Sequence, residues 1–383
     1  MAGRDHLISL YFNLGMSYKE IIYILAQEHG IELSERHLKR ILALNNFRRR
    51  HYTNLADVVQ FIEHELQGSG QLHGYRMMHA KCRQNGMHVR KEDVRVILKY
   101  LDPEGVAART ARRLTRRSYF AKGPNHVWHV DGYDKLKPFG LCISGCIDGY
   151  SRKVMWLNVY NTNNDPKLVG GYFLETVMEC GGFPCKVRAD RGTENGHICA
   201  FQNFFHHNYD LERRVYIEGS STSNQRIEYW WAFLRKECTH FWIETFRRLS
   251  DRGDFTGDFL DKNLVQFCFM SILQTELDKM ADIWNNHRIR PSVNLHVPSG
   301  HPMMMYHTPQ IWGTEDQLCT NVDDDDLAAC ISDAVFRSTI PCDKDVYDLC
   351  VYIMKRDNLD QPMEVQDALE LYIHLKQEIT VLL

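Results

Sequence analysis

The sequence has no apolar run of the roughly 18 residues needed to cross a bilayer, and its start, MAGRDHLISLYF, lacks the pattern of a signal peptide. We therefore expect an intracellular protein without a membrane span. The twelve cysteines form no CxxC pair and no paired Cys/His spacing, which argues against a zinc finger. We expect free thiols, most of them buried.

The chain has 383 residues, of which 44% are hydrophobic and 25% are charged. These are values of a globular protein, and the length predicts two or three domains. The net charge of −3 hides an asymmetry. Residues 1–125 hold 21 Lys+Arg against 12 Asp+Glu (+9), and residues 313–383 hold 5 against 16 (−11). The basic end suits a polyanion such as DNA. The acidic end is expected to solvate the chain, contact basic partners or restrain the basic arm.

The first 50 residues predict three short helices. Ser17 to Glu20 has the pattern of a capping box, and Ser34 is placed to cap a third helix over residues 35–44. A basic helix after a short turn is typical of a recognition helix in the major groove. The alternative is a small three-helix domain with a solvated charged face. The candidate DNA-binding residues here are Arg36, Lys39, Arg40, Arg48, Arg49 and Arg50.

Residues 54–101 repeat this helical pattern and are followed by an arginine-rich linker, 109–117. The segment HGYRMMHAKCRQNGMHVRKEDVRVILK resembles the second helix-turn-helix of bacterial insertion-sequence transposases; a helical spacer is the alternative. Arginines at the density of the linker are expected to face phosphate. The candidate DNA-binding residues here are Arg90, Lys91, Arg95, Arg112, Arg113, Arg116 and Arg117.

The middle third predicts three antiparallel strands followed by alternating helices and strands, which is the order of a ribonuclease H-like α/β fold. Asp131 is expected to end the first strand, Asp190 to end a later one, and Glu228 to lie in the helical stretch that follows. Carboxylates are the hard oxygen ligands that magnesium and manganese prefer. Three carboxylates brought together from these elements would make a metal site.

WHVDGYDKLK, CIDGYSRKVMW, RADRGTEN and SSTSNQRIEYWWAFLRKE resemble the core of the retroviral-integrase and DDE-transposase superfamily. The resemblance covers about residues 120–245. The 58 residues between Asp131 and Asp190, and the 37 between Asp190 and Glu228, are close to the family's spacing. The resemblance implies that these three residues are catalytic and hold two Mg²⁺ (or Mn²⁺) ions.

The implied activity is metal-dependent DNA cleavage and strand transfer, with water and then a DNA 3′-hydroxyl as nucleophile. Arg235 and Lys236 lie about two turns beyond Glu228 and are expected to contact the DNA backbone. DNA is thus the expected partner, bound by a homodimer or larger assembly in the nucleus, with no small-molecule substrate.

One feature leaves alternatives open. Arg191 stands where many family members have Asn, which places an extra cation beside the expected metals and could weaken their binding or reach for phosphate. A domesticated descendant that binds DNA without catalysis, or a nuclease that cleaves but does not join, therefore remains possible. Asp134, Asp148 and Glu194 are expected not to be ligands, and Trp230 and Trp231 are expected to pack in the core.

Five segments are predicted as domains. They are a helix-turn-helix domain at 1–52, a second such region with the basic linker at 53–118, the catalytic core at 119–250, a helical extension at 251–312, and an acidic helical tail at 313–383.

Overall fold

The computed structural model of the protein describes residues 3–48, 52–108, 119–207, 214–219, 224–291, 298–320 and 322–382. Two compact units are present. One contains residues 1–120 and 283–314, and the other contains residues 121–282 and 315–383. The five-segment division predicted from the sequence stays a prediction. In the described part of the chain, no helix is both long and apolar enough to span a membrane.

The described part of the first unit begins with seven short helices. They are α1 Arg4–Asn13, α2 Tyr18–His29, α3 Glu35–Leu44, α4 Leu55–Leu66, α5 Tyr75–Gln84, α6 Lys91–Leu101 and α7 Pro103–Ala108. Ser17 and Glu20 form the predicted capping box of α2, and the Ser34 hydroxyl accepts a hydrogen bond from the third residue of α3.

Two apolar clusters hold these helices together. Ile8, Phe12, Leu25 and Leu38 pack between α1, α2 and α3. A separate cluster, which includes Val58, Met78 and Leu98, joins α4, α5 and α6. The helical character predicted for the first 50 residues and for residues 54–101 is confirmed in the part of these segments that the structure describes.

The second unit is built on a mixed five-stranded sheet with helices on both faces. Its strands and helices up to the end of α11 are β1 Trp128–Tyr133, β2 Cys142–Asp148, β3 Val154–Tyr160, α8 Pro166–Cys180, β4 Val187–Asp190, α9 Gly196–Phe205, β5 Tyr216–Gly219, α10 Gln225–Leu234 and α11 His240–Asp251. The rest of the chain is helical in α12 Phe259–Asn286, α13 Pro302–His307, α14 Asp324–Asp333, α15 Lys344–Asp357 and α16 Val365–Leu382.

The strand order is β3-β2-β1-β4-β5. β1, β2 and β3 pair antiparallel, whereas β4 is parallel to both β1 and β5. This is the predicted ribonuclease H-like α/β fold. Side chains of β1 and β4 that face α8 and α9, among them Trp128, Val130 and Val187, form the main core of the unit with Phe173 and Phe201.

One sequence-based boundary is wrong. Asp131 does not end β1, because the strand continues to Tyr133 and pairs with β2 along its whole length. All twelve cysteines are described and are free thiols, as predicted.

Candidate functional site

Asp131 and Asp190 lie on the same face of the sheet, on neighbouring parallel strands. β1 and β4 pair at Trp128 with Val187 and at His129 with Arg188. Both aspartates come two residues after the last pair, so they stand at equivalent levels of the two strands. Trp128, Val130, Val187 and Ala189 face the main core. Because side chains alternate along a strand, Asp131 and Asp190 face the opposite side.

Asn224, the residue before α10, attaches that helix to β1 at His129 and Val130, where the pairing of β1 with β4 ends. Its side-chain amide donates to the Val130 carbonyl at 2.9 Å, and its amide oxygen lies 2.7 Å from Nδ1 of His129. The amide oxygen must accept, so His129 Nδ1 carries the proton. Burial lowers the pKa of His129 to about 3, and the imidazole is neutral at physiological pH. These contacts bring the first turn of α10, which carries Glu228, next to Asp131.

Trp231, one turn after Glu228, contacts Asp131 directly. Its indole Nε1 donates to Asp131 Oδ2 at 2.8 Å. The ring lies over Gly145, the β2 residue paired with Asp131, and a Cβ at Gly145 would come within 2.6 Å of the indole Cη2. The predicted packing role of Trp231 is correct but incomplete, since the same side chain also holds a carboxylate.

All three carboxyl groups are half-buried, and each has a raised pKa. Burial raises the pKa of Asp131 to about 7, with further increases from the nearby charges of Asp190 and Glu228 and an opposing effect of the Trp231 hydrogen bond. Burial is also the main cause for Asp190 and Glu228, and the charge of Asp190 adds to the raised pKa of Glu228. Mutually repelling, partly desolvated carboxylates are an environment that a bound cation would relieve.

A comparison with known protein families identifies the segment of the chain that contains this site. Residues 118–308 match the family model described as the integrase core domain. This segment is an integrase core domain. It belongs to the retroviral-integrase and DDE-transposase superfamily, a polynucleotidyl-transferase type of family. A comparison with curated proteins finds no match to the chain.

The carboxylate oxygens of Asp131, Asp190 and Glu228 are ligands of the kind that suits the divalent metals typically used by integrase core domains. Asp190 Oδ1 is buried and has no hydrogen-bond partner among the described residues, although a side-chain hydrogen bond from Asn224 to this carboxyl group acts to lower its pKa. An unpaired buried carboxylate oxygen is costly unless it meets a cation. Yet no group of three His, Cys, Asp or Glu side chains within the described ranges is already arranged to hold a metal ion. The carboxylates are thus near one another without forming a closed cage.

The acidic neighbours in the integrase core have other contacts. Asp134 pairs with Lys137 and accepts from Asn163. Asp148 is fully buried and accepts hydrogen bonds from Ser151 and from the Asn125 backbone. Glu194 accepts from Asn195 and raises the pKa of Asp190 through its charge.

The predicted DNA-binding residues that the structure describes are exposed. In the first unit they are Arg36, Lys39, Arg40, Arg48, Arg90, Lys91 and Arg95. Lys39 pairs with Glu35 at 2.6 Å, Arg95 pairs with Glu92, and the Arg90 guanidinium stacks on Tyr52. Arg49, Arg50, Arg112, Arg113, Arg116 and Arg117 lie outside the described residues.

Arg235 and Lys236 are also exposed, but not on a simple continuation of α10. A five-residue π-helical turn, Arg235–Thr239, joins α10 to α11. Lys236 pairs with the buried Glu237 at 2.9 Å. The sequence pattern of a regular helix did not reveal this turn, so the predicted spacing of about two regular turns from Glu228 does not describe the backbone beyond Leu234.

Sequence reasoning missed three contributors to the site of the integrase core. They are His129, Trp231 as a hydrogen-bond donor, and Gly145. A glycine inside a strand is the one signal that pointed to them, since such a glycine often marks the close approach of another group. Asn224 contributes to the site by holding the start of α10 on β1 through its two side-chain contacts.

Proposed function

We propose that the protein is a DNA transposase or integrase of the DDE type, a polynucleotidyl transferase that cuts and joins DNA strands. The substrate is DNA, and the reaction is metal-dependent. Asp131, Asp190 and Glu228 are the proposed catalytic residues and the ligands of two Mg²⁺ or Mn²⁺ ions. The fold alone does not carry this proposal, because one fold serves many functions.

The observation that carries it is the convergence of the three carboxylates. Two of them stand at equivalent levels on one face of neighbouring parallel strands, and the third lies on a helix attached to the first of these strands. The same residues lie inside the matched integrase core domain. Their raised pKa values and the unpaired oxygen of Asp190, both judged on the described residues, support a site that attracts cations.

In the proposed reaction, a water first attacks a phosphodiester and releases a 3′-hydroxyl. That hydroxyl then attacks a phosphodiester of a second DNA, so one P–O bond forms as another breaks. Bound divalent cations would activate the nucleophile and stabilise the leaving oxygen. The role of this chain is to position them through the carboxylates and to hold DNA phosphates, for which the exposed Arg191 is placed directly after Asp190.

The exposed basic residues of α3, α6 and the π-helical turn are the proposed DNA contacts, together with the basic residues outside the described ranges. Joining DNA ends requires two ends held together, so we propose that the protein acts as a homodimer or larger assembly. From the DNA substrate and the basic clusters we also propose a nuclear location.

The second candidate is a transposon-derived DNA-binding protein without catalysis. The observation in its favour is that the described residues contain no ready-made three-ligand metal group. Arg191 beside Asp190 adds a positive charge that competes with a metal ion.

A strand-transfer assay tests the proposal. The full chain is mixed with a labelled DNA duplex, a plasmid target and Mn²⁺ or Mg²⁺. We expect joined products that fall to background in Asp190→Asn, whereas Asp134→Asn, a matched loss of one exposed carboxylate, keeps them. Cleavage without joining would indicate a nuclease. DNA binding that is equal in both variants, with no chemistry in the wild type, would support the second candidate.

A further inference from the structure

The indole of Trp231 and the carboxylate of Asp131 form a contact that the proposed chemistry does not require by itself. Trp231 is 5% exposed, and its Nε1 donates to Asp131 Oδ2 at 2.8 Å. A hydrogen bond from a buried donor to a carboxylate is stronger than a neutral one and fixes the orientation of the group. Oδ2 of Asp131 is therefore occupied by the protein, and the backbone N–H of Gly132 makes a further hydrogen bond to this carboxyl group.

The position of the indole is fixed from three sides. Glycine at position 145 leaves room for the ring, since a Cβ there would come within 2.6 Å of Cη2. Tyr133, two residues after Asp131, lies against the ring with centroids 5.3 Å apart. The backbone of α10 supplies the third constraint, because Trp231 lies on the second turn of a helix whose start is bound to β1 through Asn224.

Glu228 and Trp231 are three residues apart on α10, so they lie on the same side of the helix. One helix thus provides both the third carboxylate and the donor that orients the first. Any rotation of α10 would move both groups together. The arrangement couples the orientation of Asp131 to the placement of Glu228.

We propose that Trp231 is a positioning residue of the metal site: it holds Asp131 Oδ2, so that Asp131 offers its other oxygen, Oδ1, to a cation. This proposal rests on the proposed function, because it assumes that Asp131 is a ligand. Partners that orient a metal ligand without touching the metal commonly change affinity by about 10- to 100-fold when they are removed.

Trp231→Phe is the direct test, because it keeps an aromatic ring over Gly145 and removes the N–H donor. Trp156→Phe is the matched control. Trp156 is also an almost buried tryptophan of this unit, and its Nε1 donates to Ser144 at 3.2 Å rather than to a carboxylate. Binding of Mn²⁺ alone to the full-length protein is measured by calorimetry, and folding is checked by thermal unfolding.

We expect Trp231→Phe to bind Mn²⁺ about 10-fold more weakly and Trp156→Phe to bind like the wild type. In the strand-transfer assay, Trp231→Phe should raise the Mn²⁺ concentration for half-maximal rate while the rate at saturating Mn²⁺ stays close to that of the wild type. A purely structural role would instead lower both variants' unfolding temperatures and leave the metal dependence unchanged.

Asp190→Asn separates failure of this inference from failure of the proposed function. If wild type binds Mn²⁺ and Asp190→Asn does not, equal binding by Trp231→Phe overturns the role of Trp231 alone. If Asp190→Asn binds as the wild type does, the metal site and the role of Trp231 both fall. Should Trp231→Phe unfold, Gly145→Ala replaces it as the test, since the added methyl displaces the indole and should weaken Mn²⁺ binding similarly.

Discussion

Asp131 stands out among the residues of the site because its pKa lies near neutrality. Burial raises this pKa to about 7, even though the Trp231 hydrogen bond opposes the increase. With a pKa of about 7, this carboxyl group changes its protonation state near neutral pH in the metal-free protein. A site of this kind gives up a proton when a cation binds, so metal affinity should rise with pH through neutrality.

The raised pKa also has a consequence for stability. An unfolded Asp loses its proton near pH 4, whereas folded Asp131 loses it near pH 7. The folded state thus binds this proton more tightly, and the free energy of unfolding decreases as pH rises from about 4 to about 7. Asp131→Asn removes the ionisation and retains an oxygen that can accept from Trp231.

We therefore expect metal-free Asp131→Asn to be more stable than wild type at pH 8, by roughly 1 to 4 kcal/mol, and equal to it near pH 4. Urea unfolding with a chelator at both pH values measures this difference. Asp134→Asn, at an exposed position paired with Lys137, is the control and should show no such gain. A stability difference that is the same at both pH values would contradict the assigned cause.

The three candidate carboxylates were predictable from the sequence because residue type, spacing and predicted element agreed for each of them. The hydrogen bond of Trp231 was not predictable. Its partner is 100 residues away in the chain, and a tryptophan beside apolar residues on a helix has the pattern of ordinary core packing. His129 was hidden for a similar reason, since only the position of Asn224 gives its Nδ1 a partner.

At the scale of elements, the starts of several helices in the first unit could be predicted from their capping residues. The Ser17 capping box and the Ser34 cap both occur where the sequence placed them, and Asn54 caps α4 in the same way. Caps are local, so they are predictable from a few neighbouring residues. The end of β1 was not predictable, because the residues after Asp131 include Gly132 and resemble a turn. The strand continues through them because it pairs with β2, which is distant in the sequence.

The helix α3 has the opposed faces expected of a DNA-contacting helix. Leu38, Ile41 and Leu42 are buried, while Arg36 and Arg40 are exposed. Lys39 is partly neutralised by Glu35, so the two arginines should dominate the contact. We expect the double variant Arg36→Gln/Arg40→Gln to weaken DNA binding and to reduce the slope of log K against log salt by about 2.

Fluorescence anisotropy across a salt series measures that slope. Arg248→Gln/Arg252→Gln is the control of equal charge, at exposed positions near the end of α11 to which no DNA contact is assigned. If the control changes the slope as much as the α3 variant does, then net charge rather than α3 determines binding.

At the scale of the whole molecule, the acidic C-terminal region is built into the second unit. Residues 183 and 319 pair as a β-bridge. Asp333 of α14 pairs with Lys167 of α8 at 2.8 Å, and the amide of Asp343 donates to the side chain of Asn263 on α12. From its net charge alone, this region was expected to solvate the chain, to contact basic partners or to restrain the basic arm. The buried residues of α15 and α16, spaced as in ordinary amphipathic helices, were the better guide to its structural role.

Tyr372 on α16 makes this structural role testable. Its hydroxyl lies 2.9 Å from both Asp261 Oδ1 and the Asp254 carbonyl, and its side chain is fully buried. Asp261 also pairs with Lys376 at 2.7 Å. Because Tyr372→Phe removes the hydroxyl and leaves buried acceptors with one partner fewer, we expect it to lower the free energy of unfolding by about 1–3 kcal/mol.

Tyr352→Phe on α15, where the ring is 62% exposed, should leave stability unchanged. Urea unfolding compares the two variants with the wild type. Equal stabilities would mean that α16 adds little to the second unit, and the acidic region would then be better explained by a partner than by the fold.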